Sequence, residues 1–486
     1  MWYKEIITKA ELIDYYDIAG CYILRPRSFY IWERIQAFLD ARFKESEVQN
    51  CYFPMFVTQK ALNREKNHIE GFSPEVAWVT KSGQSELEEE IAIRPTSETI
   101  MYPAYAKWIR SHRDLPLKMN QWSNVVRWEF KHPTPFIRTR EFLWQEGHTA
   151  HATFEEASDF AAEILEYYAR CYEEELAVPV VRGTKSEEET FAGADFSKTT
   201  EIYVPINGRG IQGATSHCLG QNFSKMFEVQ FEDKEGNKRF VWQTSWGFST
   251  RSIGAMIMVH SDDKGLVLPP RVAETQVVVI PVVKTGDDIA KIKAYAEEIY
   301  KALKAGGIRA DYDDRDNYTP GHKYNHWELR GVPIRLEVGP QEVAKNEVRY
   351  AKRHDKVKAN IPNENVAKSL EKLLEQIHHE MYDKALQARL QHQKDVFNWK
   401  DFMKEIMQRN ICLTPWCAIR SCEETVKDKS KEESEAALEG DEGEQLLTGA
   451  AKTLCIPDEQ KELPAGWKCF HCGKPAVKWA LWGRTF

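Results

Sequence analysis

Arg127-Trp128-Glu129-Phe130, followed by Phe136-Ile137-Arg138-Thr139-Arg140-Glu141-Phe142-Leu143-Trp144-Gln145-Glu146-Gly147-His148, is the densest gathering of reactive side chains in the chain. Successive residues of a strand point to opposite faces, so the spacing puts Arg127 and Glu129 on one face. Arg138 and Arg140 share a face of the returning segment or sit at the bend. Phe142, Trp144, Glu146 and His148 then alternate along one face of a second strand. Arginine forks match phosphate oxygens. A carboxylate can accept from an exocyclic amine, and an aromatic ring can stack on a base. The composition is that of a nucleotide site on an antiparallel hairpin. A purely structural, salt-bridged hairpin would use the same residues, so the flanking sequence has to decide.

Upstream, Ser28 is read as the cap of a helix with apolar positions Ile31, Trp32, Ile35, Phe38, Leu39 and Phe43, a period near 3.6. A strand-like run, Cys51-Tyr52-Phe53, stops at Pro54. Arg94-Pro95-Thr96-Ser97-Glu98 reads as a helix start, with Thr96 capping residues 98–109; such an N-terminus favours anionic ligands. Downstream, Thr153 with Glu156 forms a capping-box signal, and Phe160, Ile164, Leu165, Tyr168 and Cys171 make a core stripe. Trp246-Gly247-Phe248-Ser249-Thr250-Arg251-Ser252-Ile253-Gly254 adds an arginine at the head of an apolar run, with glycines that let backbone approach a ligand.

The chain has 486 residues, room for about three domains at roughly 100–200 residues each. Hydrophobic residues make up 42% and charged residues 29%, which excludes a disordered or fibrous chain. Near Leu268-Pro269-Pro270 the pattern changes. A β-branched strand over 277–283 precedes a helix from Asp287 with Ile289, Ile292, Ala296, Ile299 and Leu303 inward and Gly306-Gly307 as its stop. A strand over 308–312, a helix over 322–329 and a strand over 334–338 follow, an α/β alternation with a partly parallel sheet. The basic run 345–358 carries six bases, two acids and Tyr350; Arg335 and Glu337 alternate on one strand and can read base edges, although a solvated charge run looks the same. A long helix opens the last segment near Ala367. An insert over 423–444, with ten acids against three bases, is expected to be a solvated loop. Expected boundaries are 1–270, 271–366 and 367–486.

Net charge is −8, from 66 basic and 74 acidic residues, so a generic basic coat for nucleic acid is excluded while a local basic patch is not. No apolar run approaches the about 20 residues of a membrane span, and Met1-Trp2-Tyr3-Lys4-Glu5 shows no secretory leader. The cytosol is therefore the expected compartment, with no membrane partner. Six of the ten cysteines fall between Cys412 and Cys472. Cys417, Cys422, Cys469 and Cys472 form two pairs with loops of four and two residues, a spacing that suits tetrahedral thiolate zinc. Cys412, Cys455 and His471 are alternative donors.

In combination these segments resemble the signature motifs of class II aminoacyl-tRNA synthetases. The long helix and strand ending at Pro54 resemble the first, Arg127 to His148 the second, and Gly247 to Val259 the third. Together with Arg94-Pro95-Thr96-Ser97-Glu98 and Gly213-Ala214-Thr215-Ser216-His217, they are similar to the prolyl-tRNA synthetase family of the eukaryotic and archaeal type, over nearly the whole chain. The resemblance implies an α/β (α+β) architecture: a class II catalytic domain on a mostly antiparallel sheet, an α/β anticodon-binding domain, and a C-terminal zinc-binding domain. It implies a two-step ligation through prolyl-adenylate, with ATP and Mg²⁺ as the substrate complex and a structural Zn²⁺. L-proline, ATP and the tRNA for proline are the implied partners, and the first-motif helix implies a homodimer.

Carried over residue by residue, Arg127 and Arg251 are the implied catalytic arginines. Arg127 would hold the α-phosphate and the proline carboxylate, and Arg138 and Arg251 the β- and γ-phosphates. Glu129 would meet the adenine amine and Phe142 the adenine face, with Gln212 and Thr215 along the nucleotide. Thr96 and Glu98 would take the imino nitrogen of proline, with Trp144, Glu146, His148, Phe191, His217 and Gly247 around its ring. Arg335, Glu337, Arg349 and Arg353 are the implied anticodon contacts. The resemblance also implies that no editing insertion fits between Glu146 and Arg251. Relatives fold a C-terminal tyrosine toward the catalytic domain, a pattern from which Phe486 departs by one hydroxyl. Two other readings are a silent tRNA-binding relative and a class II ligase for threonine or histidine. The intact Arg127, Arg138 and Arg251 weigh against the first, and the downstream position of the cysteines weighs against a threonine enzyme.

Overall fold

Helix Pro26–Glu45 carries the first apolar stripe. Pro26 occupies its first turn, where a missing N–H costs nothing, and the helix therefore begins before Ser28. Ser28 is not the cap; its hydroxyl, buried in the first turn, donates to the Leu12 and Arg25 carbonyls at 2.6 and 3.0 Å. The computed structural model describes residues 2–66, 76–129, 132–438 and 449–486. Phe130 lies outside the described residues.

Eleven strands form the main sheet. From one edge its middle runs Val181–Thr184, Phe196–Val204, Arg209–Gly220, Trp242–Ser249, Glu141–His151, Leu117–Val126 and Gln49–Asn50. All of these neighbours are antiparallel except Gln49–Asn50, which runs parallel to Leu117–Val126. The expected strand at Cys51-Tyr52-Phe53 thus lies one or two residues earlier, although Cys51 N still donates to Asn120 O at 2.8 Å. Helices Phe154–Arg170, Pro26–Glu45 and Arg251–His260 cover one face of this sheet. Thr153 Oγ1 accepts from Glu156 N at 3.2 Å as read from sequence, while the Glu156 carboxylate turns to Ala152 N. Trp246 fills the covered face against Phe43 and Phe160, at 5.0 and 6.4 Å between ring centres. Opposite it Gly147 is obligatory, because a Cβ there would lie 2.0 Å from the indole.

A second sheet takes the order Ala310–Tyr312, Val277–Pro281, Ile334–Val338, Glu347–Lys352 and Lys358–Pro362, with the first three strands parallel and the last pairs antiparallel. Ile334, Leu336 and Val338 are buried, which leaves Arg335 and Glu337 together on the other face. Helix Ile289–Ala305 packs on this sheet, but its first residue, Ile289, is exposed rather than inward. It belongs to the cap turn, ahead of the stripe that starts at Ile292.

The last segment does not form a separate layer. Its strands Gln393–Asp395, Ile411–Trp416, Lys478–Thr485 and Lys452–Pro457 extend the main sheet, because Ile456 and Pro457 pair with Thr184 and Gly183. The insert expected as a loop over 423–444 is corrected: helix Arg420–Leu438 covers its first part, and 439–444 lies outside the described residues. Lys and Glu are good helix formers. Charge counting hid the buried stripe Cys422, Val426, Ser430 and Ser434, spaced four apart, which docks the helix. Among the described residues no helix is long and apolar enough to cross a membrane.

Candidate active site

Three neighbouring strands build the floor of a deep cleft. Register sets Glu146, Gly247 and Thr215 in one row across Glu141–His151, Trp242–Ser249 and Arg209–Gly220. His148, Ser245 and His217 form the next row, and Trp144 pairs with Ser249 beyond. Period-two alternation turns these side chains to one face. Gly247 keeps the middle of the floor open, since a Cβ there would meet the Trp144 ring at 3.2 Å. The cavity holds about 260 Å³ and is walled by Thr96 and Glu98 and by Arg127, Phe142 and Arg251. Phe191 and Gln212 also line it.

Thr96 Oγ1 donates to Glu98 Oε2, and Glu98 is buried. Thr96 is not the cap of helix Glu98–Trp108; Ser97 stands at that position. The Ser97 amide and hydroxyl both reach back to Glu146. Glu146 also accepts from Gln121 Nε2 at 2.7 Å and lies 3.0 Å from His148 Nε2. Burial would raise the Glu146 pKa, but the donors from His148, Ser97 and Gln121 outweigh it and hold the carboxyl below its usual range. Burial would likewise lower His148, yet the Glu146 bond and the charges of Glu98 and Glu146 leave it raised. Tyr102 OH, 3.0 Å from His148 Nδ1, fixes the ring from behind. Glu146 therefore spends its oxygens inside the protein, while Glu98 accepts from Thr96 at the cavity wall.

The side wall is built on Ser197. Its hydroxyl accepts from Phe191 N at 3.0 Å and lies 2.7 Å from His217 Nδ1. Phe191 and His217 rings lie 4.7 Å apart. Burial, with the charges of Arg127 and His148, pushes His217 down to about 3, so it is neutral at working pH.

Arg127 Nε donates to Pro95 O at 2.9 Å, and its guanidinium sits over Phe142 and Trp144 at 5.5 and 5.3 Å. Arg251 Nε donates to Ile137 O at 3.2 Å. Burial lowers the Arg251 pKa; Tyr172 opposes this, and the charges of Arg127 and Arg138 add to it. Clustered guanidinium groups that repel one another mark a place prepared for an anion.

Two expected residues stand off this cavity. Strand Leu117–Val126 ends one residue before Arg127, so alternation no longer carries Glu129 onto its face, and Glu129 is exposed. Its charge nevertheless acts on Arg251. Arg138 is exposed and lines an adjoining cavity of about 200 Å³, which shares Arg251 and Gln212 with the first and is also bordered by Lys452, Thr485 and Phe486. Sequence reading missed Glu189, Ser245 and Ser249 on the cleft wall. The two serines were available as the period-two neighbours of Gly247. Glu189 is one of three consecutive acids before Phe191.

Elsewhere, Arg335 donates twice to Glu337 Oε1, at 3.1 and 2.8 Å, and Arg349 is exposed opposite Glu337 in register. Arg353 is instead buried in a two-pronged pair with Asp262, at 2.8 and 2.7 Å. The four sulfurs of Cys417, Cys422, Cys469 and Cys472 lie within 4.8 Å of one another. Two edges measure 3.8 Å (Cys422 to Cys469) and 3.6 Å (Cys472 to Cys417). A tetrahedron with Zn–S bonds of about 2.3 Å has edges of about 3.8 Å, so the donor set fits zinc. Cys412 and Cys455 are buried in strands outside this cluster, while His471 Nδ1 lies 3.6 Å from Cys422 Sγ. A hydrogen bond from Cys422, and against burial the N–H groups of Cys472, His471 and Cys417, pull the Cys469 thiol down to about 4.

Comparison with known proteins agrees with this layout. Residues 78–260 match the tRNA synthetase class II core domain (G, H, P, S and T), 276–373 an anticodon binding domain, and 399–486 the C-terminal domain of prolyl-tRNA synthetase. The chain is 55% identical to the cytoplasmic proline–tRNA ligase of Arabidopsis thaliana, over all of this chain and 89% of that protein. It is 46% identical to the proline–tRNA ligase of Encephalitozoon cuniculi, over all of this chain and 96% of the other. Crystal structures of prolyl-tRNA synthetase from Cryptosporidium parvum superpose with TM-scores of 0.94 for the complex with halofuginone and AMPPNP and 0.92 for that with L-proline and AMP. Identities are 53% and 52%, and coverage is all of this chain and 97% and 94% of those chains. With identity of this order sustained from the core through the C-terminal segment, the chain belongs to the prolyl-tRNA synthetases, the proline–tRNA ligases of class II.

Proposed function

We propose that the ligation runs in two steps through prolyl-adenylate in the cleft between Glu98 and Arg251. The observation that carries this is the double polarity of one cavity, which is lined both by a buried carboxylate with a hydroxyl and by Arg127 and Arg251, whose charges repel one another. The imino acid offers a secondary ammonium to Glu98 and Thr96, and its ring to Trp144, Phe191, His148, Glu146, His217 and Gly247. Its carboxylate turns toward Arg127. That carboxylate is already the nucleophile, so attack on the α-phosphorus of Mg²⁺-bound ATP needs alignment rather than a general base. Adenine stacks on Phe142 near Glu129, with Gln212 and Thr215 along the nucleotide. Arg127, Arg138 and Arg251 balance the charge that spreads over the phosphate oxygens as pyrophosphate departs. In the second step a hydroxyl of the terminal ribose of tRNA attacks the prolyl carbonyl carbon and AMP leaves.

Proline-dependent ATP–pyrophosphate exchange without tRNA tests the first step, run beside threonine, histidine and alanine. Exchange supported by proline alone is expected, and Arg251→Ala should lower kcat/KM by about 10²–10³, as loss of one preorganised charge contact does. Strict dependence of exchange on tRNA, or full activity of Arg251→Ala, overturns the reading. Residues between Glu146 and Arg251 are taken up by the helices and strands of the main fold, which supports the absence of editing in cis; rapid hydrolysis of alanyl-tRNA carrying the proline anticodon would remove it.

The three-domain division at 1–270, 271–366 and 367–486, a structural zinc on the four cysteines, and anticodon contacts from Arg335, Glu337 and Arg349 belong to the same reading. A cytosolic location is supported by the likeness to the cytoplasmic Arabidopsis thaliana ligase. A homodimer is supported by exposed Tyr52, Phe56, Trp78 and Trp108 beyond the first long helix, whereas Ile31, Phe38 and Phe53 are core. A monomer mass by light scattering would exclude it.

A further inference from the structure

One wall of the cleft is a loop between strands Val181–Thr184 and Phe196–Val204, and it presents Glu189 and Phe191 to the cavity. Such a loop has little to hold it from within. Its own bonds are short-range: Glu189 N and Thr190 Oγ1 reach Ser186 Oγ and Ser186 O at 3.3 and 2.7 Å. The far half of the loop is held by the core, through Ser197 to Phe191 N and Asn222 to Gly193 O, whereas the near half is held by the C-terminal segment. At the root, Gly183 and Thr184 pair with Pro457 and Ile456. At the loop itself, Ser186 Oγ donates to Glu423 Oε1 at 2.8 Å, and both side chains are buried. Lys452 Nζ meets Glu189 Oε1 at 3.0 Å, half-buried on both sides. Arg420 also meets Glu188 at 2.7 Å, but that arginine is 57% exposed, and a pair so open to water contributes little.

We propose that Glu423 and Lys452 are positioning residues for amino-acid binding. They hold Ser186 and Glu189 so that Phe191 and Glu189 stand against the cleft before substrate arrives. The ordering cost of the wall is then met during folding instead of being charged against affinity. The inference rests on the proposal that Phe191 faces the proline ring.

Glu423 follows Cys422 directly, so substitution there disturbs the thiolate cluster as well. The test therefore cuts the tether from the other side, in the full chain, with Ser186→Ala and Lys452→Ala and with Lys452→Arg as the conservative partner. Steady-state ATP–pyrophosphate exchange is measured for KM of proline, KM of ATP and kcat, alongside bound zinc and the thermal midpoint. Ser186→Ala and Lys452→Ala should each raise KM for proline by about tenfold, the factor of one charge-assisted hydrogen bond, with a smaller change in KM for ATP. Zinc content should be unchanged, and Lys452→Arg should restore the wild-type value. Unchanged KM for proline in both alanine variants overturns the proposal, as does an equal rise in both KM values with a falling thermal midpoint. Phe191→Ala separates the layers: if it raises KM for proline while Ser186→Ala does not, the tether alone fails. If Phe191→Ala also has no effect, the assignment of the proline pocket fails first.

Discussion

Glu146 and His148 set the pH behaviour of the site, because the shift of each depends on the other. Glu146 is depressed from 4.5; its stabilising effect is full above that value and fades as acid titrates through its lower folded pKa. His148 is raised from 6.5; its effect is full below that value and fades as pH climbs through its higher folded pKa. The pair therefore contributes most between about 4.5 and 6.5, and its contribution declines on both sides. Glu146→Gln should remove that bell from urea-unfolding free energies and cost about 3–5 kcal/mol near pH 6, since it strands a buried imidazolium. A parallel curve for the variant, offset equally at every pH, contradicts this. His217, pushed down to about 3, stays neutral in the folded chain but takes up a proton below about 6.5 when unfolded, so it should cost stability steadily as pH falls from about 6.5 toward 3.

At the scale of elements, the cysteine cluster couples helix Arg420–Leu438 to the turn Cys469–Cys472 and thus to the edge of the main sheet. Removing metal from such a site takes binding free energy out of folding, not out of the chemical step. Chelation should lower the thermal midpoint by several degrees, while exchange activity measured well below that midpoint persists. Immediate loss of exchange with unchanged unfolding would reverse the assignment. The same helix shows what charge counting misses. Apart from buried Glu423, its acids and bases lie largely outward, and docking is carried by four small or apolar residues four apart.

For the whole molecule, the proposed reading gives the second sheet and the cleft separable tasks. Glu337→Gln should leave proline-dependent exchange intact and raise KM for tRNA in charging by about tenfold, the usual worth of one base-edge contact. A fall in exchange would show instead that Glu337 supports the fold. The likeness to known ligases was legible from the hairpin, because period two and the residue types of Phe142, Trp144, Glu146 and His148 are encoded within seven positions. The cysteine spacing was legible for the same reason: ligand chemistry restricts which residues can serve. Sequence alone thus determined the strand faces, the helix stripes and the chemical inventory. Tertiary structure alone decided that Glu129 falls past its strand, that Arg353 is spent on Asp262, and that Ser186 meets Glu423 across 237 positions. Local periodicity is a property of neighbours along the chain, whereas the partner of a buried charge is settled only when distant elements close over it and exclude water.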